Sequence, residues 1–123
     1  GENMQKYPKA IGPYSVYRVV NGFLFASGQI PINPESGNIE SSDIKEQTKQ
    51  SLKNVEAILK ENNLSFTDVI KTTVFLSDIN DFAAMNEVYA EFFKEPYPAR
   101  SAIAVKDLPK NALVEIEIIA FKG

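Results

Sequence analysis

Two short runs rich in β-branched and aromatic residues open the pattern. They are residues 15–20 (Ser-Val-Tyr-Arg-Val-Val) and 23–28 (Phe-Leu-Phe-Ala-Ser-Gly). Asn21-Gly22 stands between them, and that dipeptide supplies the positive φ angles of a tight hairpin turn. The pattern predicts two antiparallel strands. Residues 31–41 then hold Pro31, Pro34 and Gly37 among polar residues and read as a loop. From 43 to 62 the period becomes helical: Ile44, Thr48, Leu52, Val55, Ile58 and Leu59 share one face. Asp43 suits the N-cap, with Glu46 three positions on as in a capping box. Asn62-Asn63 suits the end, since Asn tolerates the left-handed conformation. Residues 69–77 are β-branched and read as a strand. Residues 81–94 read as a second helix, with Phe82, Met85, Val88, Tyr89, Phe92 and Phe93 on its apolar side and Pro96 as its stop. Strands at 100–105 and 113–121, joined by a Lys-Asp-Leu-Pro-Lys-Asn turn region, complete the order ββαβαββ.

That order defines an α+β domain spanning residues 1–123. Two helices cannot cover both faces of the sheet, so both are expected on one face. The last strand shows what the other face carries. Val114, Ile116, Ile118 and Ala120 point one way, under the helices; Leu113, Glu115, Glu117, Ile119 and Phe121 point the other. Ile119 and Phe121, with Phe23 and Phe25 on the second strand, are too apolar for a freely wetted face. An interface between copies of the chain is therefore expected there.

Composition narrows the chemistry. The chain has 123 residues, a formal net charge of −3, no histidine and no cysteine. An acidic balance argues against broad nucleic-acid or anionic-membrane binding, which needs a basic field. No apolar run approaches the ~20 residues of a membrane span. Lys6, Pro8 and Lys9 interrupt any signal-peptide pattern, so a cytoplasmic location is expected. Gly1-Glu2-Asn3 precede Met4 and are set aside from the functional reading. Without His or Cys there is no Ser-His-Asp triad, no thiol nucleophile and no zinc site of the usual kind. No Asp/Glu cluster has metal-ligand spacing and no Gly-rich phosphate loop is present, so no metal and no organic cofactor is expected. Carboxylates, arginine, hydroxyls and backbone amides must carry any reaction.

Two charges then stand out. Arg100 lies in Tyr97-Pro98-Ala99-Arg100-Ser101, and Glu115 in Val114-Glu115-Ile116-Glu117-Ile118-Ile119. Charges set into apolar strands are expensive unless paired, solvated or used. Arg100 could simply pair with Glu115 or Glu117 across adjacent strands. Glu115 and Glu117 share a face, about 6.5–7 Å apart along the strand, and the pattern alone does not choose between them. Tyr14 could merely pack with its hydroxyl at the surface. Ser27-Gly28 could be a strand end with a bulge.

Five segments in order resemble one known family. They are Ile11-Gly12-Pro13-Tyr14-Ser15, Ala26-Ser27-Gly28-Gln29-Ile30-Pro31, Lys71-Thr72-Thr73-Val74-Phe75-Leu76, Pro98-Ala99-Arg100-Ser101 and Val114-Glu115-Ile116-Glu117. Together they resemble the RidA/YjgF family of reactive-intermediate (enamine/imine) deaminases, from about Tyr7 to Lys122. The resemblance implies a chorismate-mutase-like fold and a homotrimer with active clefts between subunits. It implies hydrolysis of 2-aminoacrylate, 2-aminocrotonate or their imine tautomers to 2-keto acids and ammonia, without a cofactor. Pyridoxal-phosphate-dependent dehydratases release those intermediates. By motif match, Arg100 grips the substrate carboxylate and Glu115 orients the attacking water. Tyr14, Ser27 and Gly28 line the cleft from an adjoining subunit, and Asn86 shapes its wall. Where the family often has Arg-Ser-Cys, this chain has Arg100-Ser101-Ala102; either the side chain there is dispensable or activity is weakened, and a backbone role at Ala102 survives the change.

The implied chemistry suits the residues. A planar carboxylate matches the two-pronged guanidinium, and an imine carbon is already activated toward water. One placed carboxylate as general base is worth roughly 10²–10⁴-fold. Two other readings stand beside it: a non-catalytic trimer binding small carboxylates, and the endoribonuclease or translation-inhibitor activity described for relatives.

Overall fold

The structure is a computed structural model and describes residues 6–123; Gly1–Asn3, set aside above, lie outside them. β1 (Tyr17–Val20) and β2 (Phe23–Gln29) form the expected hairpin. Asn21 and Gly22 both take positive φ, +50° and +84°, the turn geometry that matches the right-handed twist of paired strands. The 31–41 segment is more ordered than a plain loop. β3 (Ile32–Asn33) and β4 (Asn38–Ile39) pair as a second small hairpin. Two-residue strands carry no readable alternation, which is why the pattern showed only turn residues.

α1 (Ile44–Glu61) begins at Asp43, whose side chain accepts from the Glu46 N–H at 3.0 Å. The reverse arm of the box is replaced: the Asp43 N–H donates to Ser41 Oγ. The expected ends of the helix hold to within a residue, and Asn63 adopts φ +58° just beyond it. β5 (Val69–Leu76), α2 (Phe82–Phe92), β6 (Ala99–Ala104) and β7 (Val114–Phe121) follow. α2 ends four residues before Pro96 rather than against it.

The five long strands make one mixed sheet in the order β1-β2-β7-β5-β6. Only β5 and β6 run parallel, with α2 as their crossover. Both helices cover one face. Leu24, Val74, Leu76, Val114, Ile116, Ile118 and Ala120 from the sheet meet Leu52, Val55, Ile58, Leu59, Met85 and Phe93 from the helices, all buried. This is the expected α+β layer architecture. The opposite face is open: Phe23 and Phe121 are 37% exposed and Phe25 is 46% exposed. Phe23 and Phe121 touch across β2 and β7 with ring centroids 4.6 Å apart.

The candidate active site and its two halves

The sheet order decides where the two charges go. β5 lies between β6 and β7, so Arg100 and the glutamates are not on adjacent strands. The simple cross-strand ion pair considered above is excluded. Arg100 pairs in register with Thr72, whose side chain is buried under α2. Its own side chain therefore rises on the helical face of the sheet. Glu115 pairs with Phe75 and projects from the open face. The two residues belong to opposite sides of one sheet.

Around Arg100 the bed is aromatic. The guanidinium carbon lies 4.7 Å from the Tyr89 ring centroid and 5.5 Å from that of Phe82, within range of attraction by the ring faces. Nη1 donates to Asn86 Oδ1 at 2.7 Å. The Tyr89 hydroxyl is bonded to Thr72 Oγ1 at 2.8 Å, and burial pushes its pKa up against the opposing effects of Thr72 and Arg100. Among the described residues, no ion pair involves Arg100. It is a cation held flat by neutral groups, beside a cavity of about 430 Å³ lined by Asn86, Tyr89, Ala90, Tyr97 and Pro98. Ala102, two residues along β6, follows on the same face.

Glu115 has a different setting. β2 bulges between Ala26 and Gln29, where Ser27 and Gly28 stand opposite the single residue Glu117. The bulge brings the bare Cα of Gly28 against the Glu115 carboxyl. A Cβ on Gly28 would fall 1.9 Å from Glu115 Oε2, so glycine is what makes room for the carboxylate. Burial and then the charge of Glu117 raise the Glu115 pKa. Glu117 itself is exposed. The two glutamates that the pattern could not separate are thus separated by burial. Ser27 Oγ donates to the Ser15 carbonyl at 2.7 Å and the Ser27 N–H to that of Val16 at 2.8 Å. The bulge reading and the cleft reading of Ser27-Gly28 are therefore compatible. Tyr14 is 48% exposed, accepts from the Ile11 N–H at 3.3 Å, and shares a small cavity with Gly28.

Of the sequence-predicted residues, Arg100, Asn86 and Ala102 form one group, and Glu115, Ser27, Gly28 and Tyr14 the other. Phe82 and Tyr89, on the apolar stripe of α2, also form the bed of Arg100, a role the helical period does not show. A tyrosine at a buried helical position was the available signal, because its hydroxyl needs a partner. Among the described residues no cluster of His, Cys, Asp or Glu could hold a metal, and no helix is long and apolar enough to cross a membrane.

The chain is an α+β domain with a ring-stacked arginine on the helical face of its sheet and a half-buried glutamate on the open face. The endoribonuclease L-PSP family model matches residues 4–122. The chain is 56% identical to a RutC family protein of Pyrococcus abyssi over 96% of this chain and 93% of that one. It is 48% identical to the human 2-iminobutanoate/2-iminopropanoate deaminase, covering 96% of this chain and 86% of the human one. A Rid-family protein of Yersinia pestis superposes with a TM-score of 0.92 at 48% identity, over 95% and 94% of the two chains. The chain belongs to the L-PSP family, that of the RidA/YjgF proteins.

Proposed function

We propose that this protein hydrolyses small 2-imino acids, the tautomers of 2-aminoacrylate and 2-aminocrotonate, to 2-keto acids and ammonia, and that it does so as a homotrimer. The observation that carries the reading is the placement, among the described residues, of an unpaired arginine and a half-buried glutamate on opposite faces of one sheet. Arg100 is a stacked guanidinium with no carboxylate partner among the described residues. Glu115 is a half-buried carboxyl with a raised pKa. A second copy that sets its β6 edge, with Arg100, against the open face of the first would bring the Glu115 of one chain toward the Arg100 of another. The name of the human relative supports the same reaction class.

In the proposed reaction Arg100 holds the substrate carboxylate by two parallel N–H donors. Glu115 takes a proton from water as its oxygen bonds to the imine carbon. Glu115 returns that proton to the nitrogen to give the neutral carbinolamine; it then takes the hydroxyl proton and passes it to the nitrogen as the C–N bond breaks, so that ammonia leaves and the C=O forms. A carboxyl whose pKa lies above the usual range can both accept and return a proton. Tyr14 and the backbone at Ser27, Gly28 and Ala102 border the cleft.

The test couples a serine dehydratase, a pyridoxal-phosphate enzyme that generates 2-aminoacrylate, to this protein and follows pyruvate. A marked acceleration over spontaneous hydrolysis is expected. No acceleration, with 2-keto acid binding intact, would instead favour the non-catalytic carboxylate-binding reading. For assembly, light scattering at micromolar concentration is expected to give three times the chain mass. A stable monomer would leave each half-site unfinished. Cleavage of RNA would require an acidic chain without histidine to hold and cut a polyanion.

A further inference from the structure

We propose that Gln29 is a positioning residue for Glu115, acting through the Ser27–Gly28 bulge. The inference rests on the reading of Glu115 as the proton-transferring group. Gln29 is 5% exposed and pairs in register with buried Ile116, so its side chain lies on the helical face, inside the core. An apolar residue would fill that place at lower cost, because a buried amide is tolerated only when hydrogen-bonded. The bond it makes is specific: Nε2 donates back to the carbonyl of Ser27 at 3.0 Å.

That carbonyl belongs to the peptide that carries Gly28. Elsewhere along β2 and β7 the ladder fixes the backbone. At the bulge it does not, since Ser27 and Gly28 have no register partners on β7. Their placement falls to local contacts. On the outer side these are the two bonds of Ser27 to Ser15 and Val16. From the core side it is Gln29. Asn54 of α1, itself 1% exposed, then anchors the following residues by donating to the carbonyls of Ile32 at 3.0 Å and Ile30 at 3.3 Å. Glu115 rests directly on the Cα so placed. A tilt of the Ser27–Gly28 peptide would either push the carboxyl away or let water in beneath it. Gln29 touches neither substrate nor reacting atoms in this scheme; it fixes the surface on which the carboxyl lies.

The experiment compares Gln29→Met, which keeps the length and removes the donor, with Gly28→Ala, which displaces the carboxyl directly. Gln29→Asn, too short to reach, serves as a second variant should Gln29→Met fold poorly. Two readouts are taken: kcat and KM in the coupled imino-acid assay, and the titration of the Glu115 side-chain carboxyl by ¹³C NMR in substrate-free protein. The expected result for Gln29→Met is a fall in kcat of roughly tenfold with KM changed less than about twofold, because the carboxylate-binding arginine is on the other face. The Glu115 carboxyl is expected to titrate at lower pH than in the wild type, as water reaches it. Its charged neighbour Glu117 is untouched by the substitution. Gly28→Ala should show the same signature, enlarged. A folded Gln29 variant with wild-type kcat and unchanged Glu115 titration overturns the proposal. So does one that loses only thermal stability. If the wild type itself deaminates no imino acid, the functional reading fails, while the carboxyl titration still decides whether Gln29 positions Glu115.

Discussion

Replacing Glu115 by glutamine is expected to lower the deamination rate by roughly 10²-fold or more, with assembly and 2-keto acid binding retained. Glutamine keeps the shape that rests on Gly28 but cannot take a proton from water. The same change is expected to leave stability unchanged or improved. In the folded protein the Glu115 pKa is raised, chiefly by burial and then by Glu117, so the native state holds that proton more tightly than the unfolded chain. Stability from this group is therefore present at low pH and is lost as pH rises through the raised value. At neutral pH the ionised carboxylate is a cost that glutamine does not carry. Rate and melting temperature should move in opposite directions, or the second not at all. Glu117→Gln, at an exposed position, should alter assembly or stability before it alters chemistry. Should Glu117→Gln be inactive and Glu115→Gln active, the site has been placed one pleat repeat away from its true position.

Arg100→Lys is expected to remove most of the turnover, by roughly 10²-fold in kcat/KM or more. Lysine keeps the charge. It cannot lie flat over Tyr89 and Phe82 while donating to Asn86, as the guanidinium does, and it cannot offer two parallel donors to a carboxylate. Arg100 sits on an edge strand and is only partly buried, so the fold should survive and circular dichroism should be unchanged. Wild-type deamination by Arg100→Lys would refute carboxylate clamping by this residue.

Much of the fold was legible because its signals are local. Asp43 and Asn62-Asn63 bound α1, Asn21-Gly22 turns β1 into β2, and the 3.6-residue stripe marks both helices. The alternation along β7 correctly divided Ile116 and Ile118 from Glu115 and Phe121. What local signals could not give was the order of strands. Arg100 and Glu115 each read clearly as strand residues, but β5 lies between their strands only because α2 carries the chain across to a parallel β6. Nor could periodicity show that Gln29 and Asn54, polar residues within or beside apolar runs, are buried and hold backbone carbonyls. Such residues look like solvated positions until their partners, 2 residues away in one case and 22 or 24 in the other, are known.

Because the arginine and the glutamate stand back to back across one sheet, a chain cannot serve itself on the proposed reading. Every turnover is a transaction between neighbours. Two inactive proteins, one lacking Arg100 and one lacking Glu115, should then rescue each other when unfolded together and reassembled. In a random equal mixture about a quarter of the clefts would draw a sound arginine from one parent and a sound glutamate from the other, if the chains close into a ring. In a cell carrying both alleles, a defect at either position would be diluted rather than inherited whole. Activity would also fade on dilution before any chain unfolds, making catalysis itself a gauge of association.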